Sequence, residues 1–127
     1  MKFKTPQLKV QYKHTPAILK LIFQFFETRS VNLFGIEPVI TRLTDPFNGE
    51  SGVHPANRAI DVRSEYRFHD INIKTYKEQQ VQILLSLVNY RFYRTDGKKT
   101  IIHHSFNGGP HHFHIQVPYL STQLFLR

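Results

Sequence analysis

Apolar and polar positions follow a helical period in two long segments of the chain. Residues 14–30, HTPAILKLIFQFFETRS, have apolar side chains at 18, 19, 22, 23, 25 and 26, and this spacing predicts a largely buried helix. Thr15 is its predicted N-cap and Pro16 its first helical residue. Residues 73–93, IKTYKEQQVQILLSLVNYRFY, have the same period of about 3.6 residues and predict a second long helix.

Four shorter segments alternate apolar and polar residues or are rich in β-branched side chains, which is typical of strands. The last two are joined through Asn107-Gly108-Gly109, a turn signal that predicts a hairpin. The predicted strands are EPVITRLT (37–44), AIDVRS (59–64), TIIHHSF (100–106) and HHFHIQVPYL (111–120).

The order helix, strand, strand, helix, hairpin predicts an α+β fold with two main helices and a mostly antiparallel sheet. With 127 residues, no internal repeat and no Gly/Ser-rich linker, the chain is expected to form a single domain over residues 1–127. No apolar run approaches the ~18 residues that span a bilayer, and the N-terminus lacks the apolar segment of a secretory signal. We therefore expect cytoplasmic synthesis, no signal peptide and no membrane insertion.

Composition and charge exclude several kinds of functional site and favour one class of partner. The absence of cysteine excludes disulfides, thiolate zinc ligands and cysteine nucleophiles. The formal charge of +8 favours an anionic partner, either nucleic acid, a phospholipid surface or a bacterial cell wall, with a basic surface kept for solubility as the alternative. The lysines and arginines are scattered and form no helical stripe, so we expect no specific nucleic-acid binding.

Three of the eight histidines lie in GGPHHFHIQV, residues 108–117. Because alternate residues of a strand share a face, His112 and His114 are predicted to project together, about 6.6 Å apart along the strand. Two imidazoles so placed can reach one metal ion, or a metal ion and its bound water. His111 is predicted to face the other way and is the weakest candidate ligand of the three.

An acidic residue occupies the centre of the predicted strand AIDVR. Ile60 and Val62 are predicted to face the core, and Asp61 lies on the opposite face. A buried carboxylate without a partner is costly, so Asp61 needs one. One interpretation is an ion pair with Arg58 or Arg63 at a strand edge; the other is a carboxylate ligand that completes a histidine site.

These segments resemble motifs of a known superfamily. The stretch HPANRAID, from His54 to Asp61, resembles the His-x-x-Gly-x-Ala-x-Asp motif of the D-Ala-D-Ala metallopeptidases. GGPHHFHIQV resembles the His-x-His strand of the wider group that includes lysostaphin-type endopeptidases and the hedgehog signalling domain. The motifs occur in the same order, and the resemblance spans about residues 37–117. Small stand-alone members are common among phage and prophage enzymes that cleave peptidoglycan.

The resemblance implies a hedgehog/D-Ala-D-Ala-peptidase-like fold that carries a zinc site. Its metal ligands would be His54, Asp61 and His114, and His112 would lie beside the metal-bound water. Three protein ligands leave a fourth position open, which distinguishes catalytic zinc sites from structural ones.

Further residues are candidates for the catalytic site. Arg42 matches the position of a family arginine that holds a substrate carboxylate, with a surface arginine as the alternative. Either His103 or His104 could lie opposite the His112 face of the hairpin, and we favour His104. Glu50 ranks below His112 as a base.

The chain departs from the family pattern at three positions. Asn57 replaces a glycine, and Asn tolerates the left-handed conformation better than most residues. Gly52 replaces the serine two residues before the first ligand. His112 replaces the glutamate base of the carboxypeptidase branch, which places the chain nearer the endopeptidases.

We therefore expect a monomeric, zinc-dependent peptidoglycan endopeptidase that cleaves amide bonds in cell-wall peptide stems. It would act at the bacterial cell wall through phage- or prophage-encoded export or lysis. Two alternatives stay open: a zinc-containing binding domain of the same fold without turnover, and a basic nucleic-acid-binding module.

Overall fold

A computed structural model describes residues 1–43, 58–64, 76–105 and 111–127 of the chain. These residues form three α-helices, seven short strands and one 3-10 turn. In chain order they are β1 (Lys2–Phe3), α1 (Pro6–Lys13), α2 (Ala17–Phe34), β2 (Val39–Arg42), β3 (Ala59–Arg63), α3 (Glu78–Arg91), β4 (Phe92–Arg94), β5 (Ile101–Ser105), β6 (His111–Gln116), the 3-10 turn Ser121–Gln123 and β7 (Leu124–Leu126).

The main sheet has five strands in the order β1-β2-β3-β6-β5. The pairs β2–β3, β3–β6 and β5–β6 are antiparallel, whereas β1 pairs with β2 in parallel. The predicted α+β class is confirmed, and the sheet is mixed. Strands β4 and β7 form a separate two-stranded antiparallel sheet that the sequence pattern did not predict.

Both predicted helices are present, with changed boundaries. Helix α2 begins at Ala17 with Pro16 as N-cap, so the prediction of Thr15 as the N-cap was wrong. The hydroxyl of Thr15 instead donates to the carbonyl of Gln11 at the end of α1, a helix that was not predicted. The C-terminal end of α2 lies at Gly35, whose φ of 65° suits a residue without a side chain.

Helix α3 is shorter than its predicted range. Its N-cap is Lys77, whose backbone is extended and whose N–H donates to the side chain of Gln80. At the other end Phe92 leaves the helix and begins β4. Residues 73–75 of the predicted helix lie outside the described part of the chain.

The hydrophobic core lies between the helices and one face of the sheet, since α2 packs on β3 and β6, and α3 packs on β5. Ile60, Val62, Phe113 and Ile115 are fully buried there, which confirms the predicted core-facing positions of β3 and β6. The ring of Phe113 lies 4.9 Å from that of Phe26 in an edge-to-face contact. Because alternate residues of a strand face opposite ways, the intervening residues project from the other face of the sheet.

None of the helices in the described ranges combines the length and apolarity needed to cross a bilayer.

Candidate functional site

Asp61 and His114 are direct neighbours on adjacent strands. They are register partners of the antiparallel pair β3–β6, and Oδ1 of Asp61 lies 2.7 Å from Nδ1 of His114. Only 6% of Asp61 and 9% of His114 is exposed to solvent. Strand β3 lies between β2 and β6 in the interior of the sheet. Asp61 is therefore not at an edge of the sheet, where the alternative ion pair with an arginine was expected. The buried carboxylate therefore has an imidazole partner from across the sheet.

His112 faces the same carboxylate from two positions earlier on β6. Its Nε2 lies 3.7 Å from Oδ2 of Asp61, which is an ion-pair distance and longer than a hydrogen bond. The side chain is 20% exposed, more than either member of the buried pair. The predicted common face of His112 and His114 is confirmed, and His112 lies nearer to solvent.

His104 completes a group of three imidazoles on this face. It is the register partner of His112 in the β5–β6 hairpin, and its ring centroid lies 4.6 Å from that of His112 and 5.6 Å from that of His114. Its Nε2 is buried and has no hydrogen-bond partner among the described residues. Burial, and then repulsion from His112 and His114, lower the pKa of His104, so the neutral ring is favoured near neutral pH. His104 therefore offers an unused ring nitrogen beside His112.

His103 and His111 lie on the other face of the hairpin, where their rings stack 5.3 Å apart. Nε2 of His103 contacts Oγ of Ser64 at 2.7 Å, and that hydroxyl donates to the carbonyl of His111. Because the Ser64 proton is used in this second bond, Ser64 accepts a hydrogen bond from His103 and is not activated as a nucleophile. The predictions that His104 and not His103 shares the His112 face, and that His111 points away from it, are confirmed.

Arg42 lies on the opposite side of Asp61 from His114. It is the register partner of Asp61 in the β2–β3 pair, whose register shifts between Ile40 and Arg42. Its side chain is half-buried. The predicted carboxylate-binding arginine thus lies on the strand next to the acidic residue, while its role stays a prediction.

Arg58 and Arg63, the predicted alternative partners of Asp61, lie at opposite ends of β3. Arg63 is the register partner of His112 and lies at the end of β3. Arg58 precedes the strand and donates to the carbonyl of Val117 at 3.3 Å, and its guanidinium lies 5.6 Å from the ring centroid of Tyr119. Arg58 thus ties the start of β3 to the segment that follows β6.

Gln116 contacts the group of side chains formed by Asp61, His104, His112 and His114, and it was not predicted from the sequence. Its Oε1 lies 3.1 Å from Nε2 of His114, so His114 is contacted at both ring nitrogens. The strand alternation that placed His112 and His114 on one face also applies to Gln116, two positions further on. The zinc motifs specify histidine and aspartate ligands and no amide, so they give no signal at Gln116.

Four of the predicted positions are outside the described residues. They are Glu50, Gly52, His54 and Asn57. Within the described ranges, no group of three or more His, Cys, Asp or Glu side chains is arranged to hold a metal ion. Of the three predicted ligands, Asp61 and His114 lie within the described residues, where they contact each other.

A scan against protein-family models and searches of curated proteins and of solved structures each found no match.

The Asp61–His114 pair fits a zinc ion in its donor chemistry. In a tetrahedral site with metal–donor distances of about 2.0–2.2 Å, two ligand atoms lie roughly 3.4 Å apart. The two facing atoms are 2.7 Å apart, so side-chain movements of less than about 1 Å would admit the ion. With a metal ion at Nδ1, a neutral ring would have its proton on Nε2, from where it can donate to Oε1 of Gln116. Asp61 and His114 therefore fit zinc as two members of a ligand set whose third predicted member is His54.

Proposed function

We propose that this protein is a zinc-dependent endopeptidase that hydrolyses amide bonds in the peptide stems of peptidoglycan, with a fold of the hedgehog/D-Ala-D-Ala-peptidase type. The observation that carries the proposal is the buried contact between Asp61 and His114, with His112 on the same carboxylate. The order of the two sequence motifs supports it as well. The protein would act at the bacterial cell wall, where its charge of +8 favours retention on an anionic polymer.

The proposed metal ligands are His54, Asp61 and His114. Asp61 would bind through Oδ1 and His114 through Nδ1, because these atoms face each other. A carboxylate and two imidazoles form a typical ligand set of a catalytic zinc site with one open position. Bound there, zinc would supply Lewis acidity, which makes water nucleophilic at neutral pH and polarises the scissile carbonyl.

His112 is the proposed general base and acid. It lies beside the ligand pair but is more exposed, so a substrate and a water molecule can approach it. Its Nε2 would accept a proton from the attacking water and deliver it to the amine that leaves. In the protonated state the same ring would stabilise the oxyanion that develops on the carbonyl.

His104 would support this proton transfer from the neighbouring strand. Its ring packs against that of His112, and burial favours its neutral form. A neutral neighbour with an unused Nε2 can accept a hydrogen bond from His112 or from the water, which would orient either one. His104 would therefore act beside the metal and not as a ligand.

Arg42 is the proposed contact for a free carboxylate of the substrate. Its planar guanidinium can bind a carboxylate through two parallel hydrogen bonds, and β2 places it next to Asp61. Peptide stems of peptidoglycan carry free carboxylates, so this residue would align the scissile amide with the cluster. The family resemblance predicts this role for Arg42, and the register of Arg42 with Asp61 adds a geometric reason.

The test is a product assay with purified peptidoglycan and zinc-loaded protein. New amino and carboxyl groups should form without new reducing sugar ends, and chelation should stop the reaction until zinc is restored. Asp61→Asn is the inactive control, and His111→Ala, on the opposite face of β6, is the matched variant that keeps activity.

Other outcomes of this assay point to the alternatives. New reducing ends would identify a glycosidase and contradict the proposal. One bound zinc without cleavage would favour a binding domain, and salt-dependent binding of a random oligonucleotide without cleavage would favour a nucleic-acid-binding module.

A further inference from the structure

The side chain of Gln116 contacts the ring nitrogen of His114 that faces away from Asp61. Oε1 of Gln116 lies 3.1 Å from Nε2, while Nδ1 lies 2.7 Å from Asp61. A histidine binds a metal ion through a single nitrogen, and the hydrogen bond at the other nitrogen decides which one is free to do so. Gln116 is therefore placed to decide which ring nitrogen of His114 binds the proposed ion.

The main chain of Gln116 is held at both of its polar groups. Its N–H donates to the carbonyl of Thr100 at 2.8 Å, and its carbonyl accepts from Nη1 of Arg94 at 3.1 Å. The Arg94 side chain is 1% exposed and is itself paired with Asp96. Because the backbone is anchored on two sides, the amide reaches His114 from a fixed point on the sheet.

The hydrogen-bonding requirements of the two neighbours of His114 favour one position for the proton of its ring. An ionised carboxylate and an amide carbonyl oxygen both only accept hydrogen bonds, so the ring nitrogens that face Asp61 and Gln116 must each carry a proton or a cation. A metal ion at Nδ1 meets the first requirement, and a proton on Nε2 meets the second. A neutral imidazole with its proton on Nε2 therefore satisfies both partners when a metal ion is bound.

We propose that Gln116 is a positioning residue that accepts a hydrogen bond from Nε2–H of His114 and thereby commits Nδ1 to the metal ion. The inference rests on the proposed function, because it needs a metal at the Asp61–His114 pair. It adds a residue outside the sequence motifs, and it extends the site through the backbone of Gln116 to Arg94. Removing such a hydrogen bond costs metal affinity on the order of 10- to 100-fold in characterised zinc sites.

The test compares two substitutions of Gln116 by the zinc dissociation constant, measured by competition with a chromophoric chelator. Gln116→Met has similar length and no acceptor, and it should weaken binding by roughly 10- to 100-fold. Gln116→Glu keeps an acceptor and should bind zinc within a few-fold of the parent or more tightly. Gln79→Met, on the exposed surface of α3, is the control for loss of a glutamine elsewhere.

A spectroscopic measurement reports on the nitrogen itself. In the zinc-loaded parent, long-range proton–nitrogen NMR should show His114 protonated at Nε2 and bound through Nδ1. The same state should persist in Gln116→Glu. Gln116→Met should show a mixture of bound nitrogens or exchange between them.

The outcomes separate this inference from the proposed function. If Asp61→Asn and His114→Ala lose zinc while folded Gln116→Met binds like the parent, the positioning role is wrong and the metal site stands. Equal weakening in Gln116→Glu and Gln116→Met would also overturn it, because the acceptor would then be irrelevant. If the parent binds no zinc, or if Asp61→Asn and His114→Ala both retain it, the proposed function fails together with the inference. Thermal unfolding of each metal-free variant reports whether it is folded.

Discussion

Nδ1 of His114 lies 2.7 Å from Oδ1 of Asp61, although 53 residues separate the two positions in the chain. Both side chains are buried on the face of the sheet opposite the core, and each is a costly group to bury alone. Their pairing therefore accounts for two polar residues inside the sheet and also brings together two of the proposed zinc ligands.

The metal-ligand assignment is tested by stoichiometry. The parent should bind about one zinc ion per chain, and Asp61→Asn or His114→Ala should remove it, because two of three ligands cannot hold the ion tightly. Metal analysis after dialysis measures this directly. His111→Ala removes a histidine from the same strand but the opposite face, and it should retain zinc. Full zinc retention in both ligand variants would contradict the assignment.

The role of His112 is tested by separating binding from turnover. If His112 moves protons and does not bind the metal, His112→Ala should keep most of its zinc and lose on the order of 10²-fold or more in kcat. Zinc analysis and initial rates on the same preparation measure the two effects. A variant that loses zinc as completely as His114→Ala would make His112 a ligand.

His104 and His103 offer a matched pair of variants, because they are adjacent in sequence and their side chains lie on opposite faces of the sheet. His104→Ala should lower kcat by roughly 10-fold or more while keeping zinc, since the ring packs on the proposed proton carrier. His103→Ala should keep its kinetics and lose about 1–3 kcal/mol of stability, because the Ser64 hydroxyl loses the hydrogen bond from His103 and keeps only the one it donates to His111. Rates and thermal unfolding of both variants check this. Unchanged kcat in His104→Ala would exclude a catalytic role for that residue.

The charge of the protein predicts the salt dependence of its activity. If attraction between the +8 chain and the anionic wall speeds encounter, cleavage of intact peptidoglycan should fall as ionic strength rises above about 0.15 M, where the Debye length drops below ~8 Å. Cleavage of a short soluble stem peptide with little charge should change far less. Equal salt dependence for the two substrates would contradict electrostatic retention on the wall.

Because the hydroxyl of Tyr76 is buried, we expect the protein to lose stability at alkaline pH. Burial raises the pKa of Tyr76 from 10.0 to about 12, and its hydroxyl bonds Ser30 at 2.6 Å. Between these two pH values the unfolded chain releases the proton that the folded chain retains, so stability falls as pH rises from about 10 and the loss is complete above about 12. A shift of this size corresponds to about 2–3 kcal/mol.

The measurement for Tyr76 is denaturant unfolding at several pH values. The parent should lose stability more steeply between pH 10 and 12 than Tyr76→Phe, which has no proton to release there. Parallel pH profiles for the two proteins would show that this hydroxyl ionises alike in both states.

The periodic patterns of the sequence determined which residues face the core. The alternation in HHFHIQ buried Phe113 and Ile115 and placed His112 and His114 on the other face, as predicted. The two long helices followed in the same way from their apolar spacing. Such patterns are local, because the direction of a side chain depends on the period of its own strand or helix.

Only the tertiary structure decided which side chains meet across the strands. Strand register placed Asp61 opposite His114, and the β5–β6 register decided between His103 and His104 in favour of His104, the residue favoured from the sequence. The same folding added Gln116 as a second contact of His114, a residue that no motif singled out. Register depends on how distant segments pack their buried faces together, and a pattern within one segment contains no information about the partner strand. The sequence thus determined the faces of the candidate site, and the packing of the sheet decided its contacts.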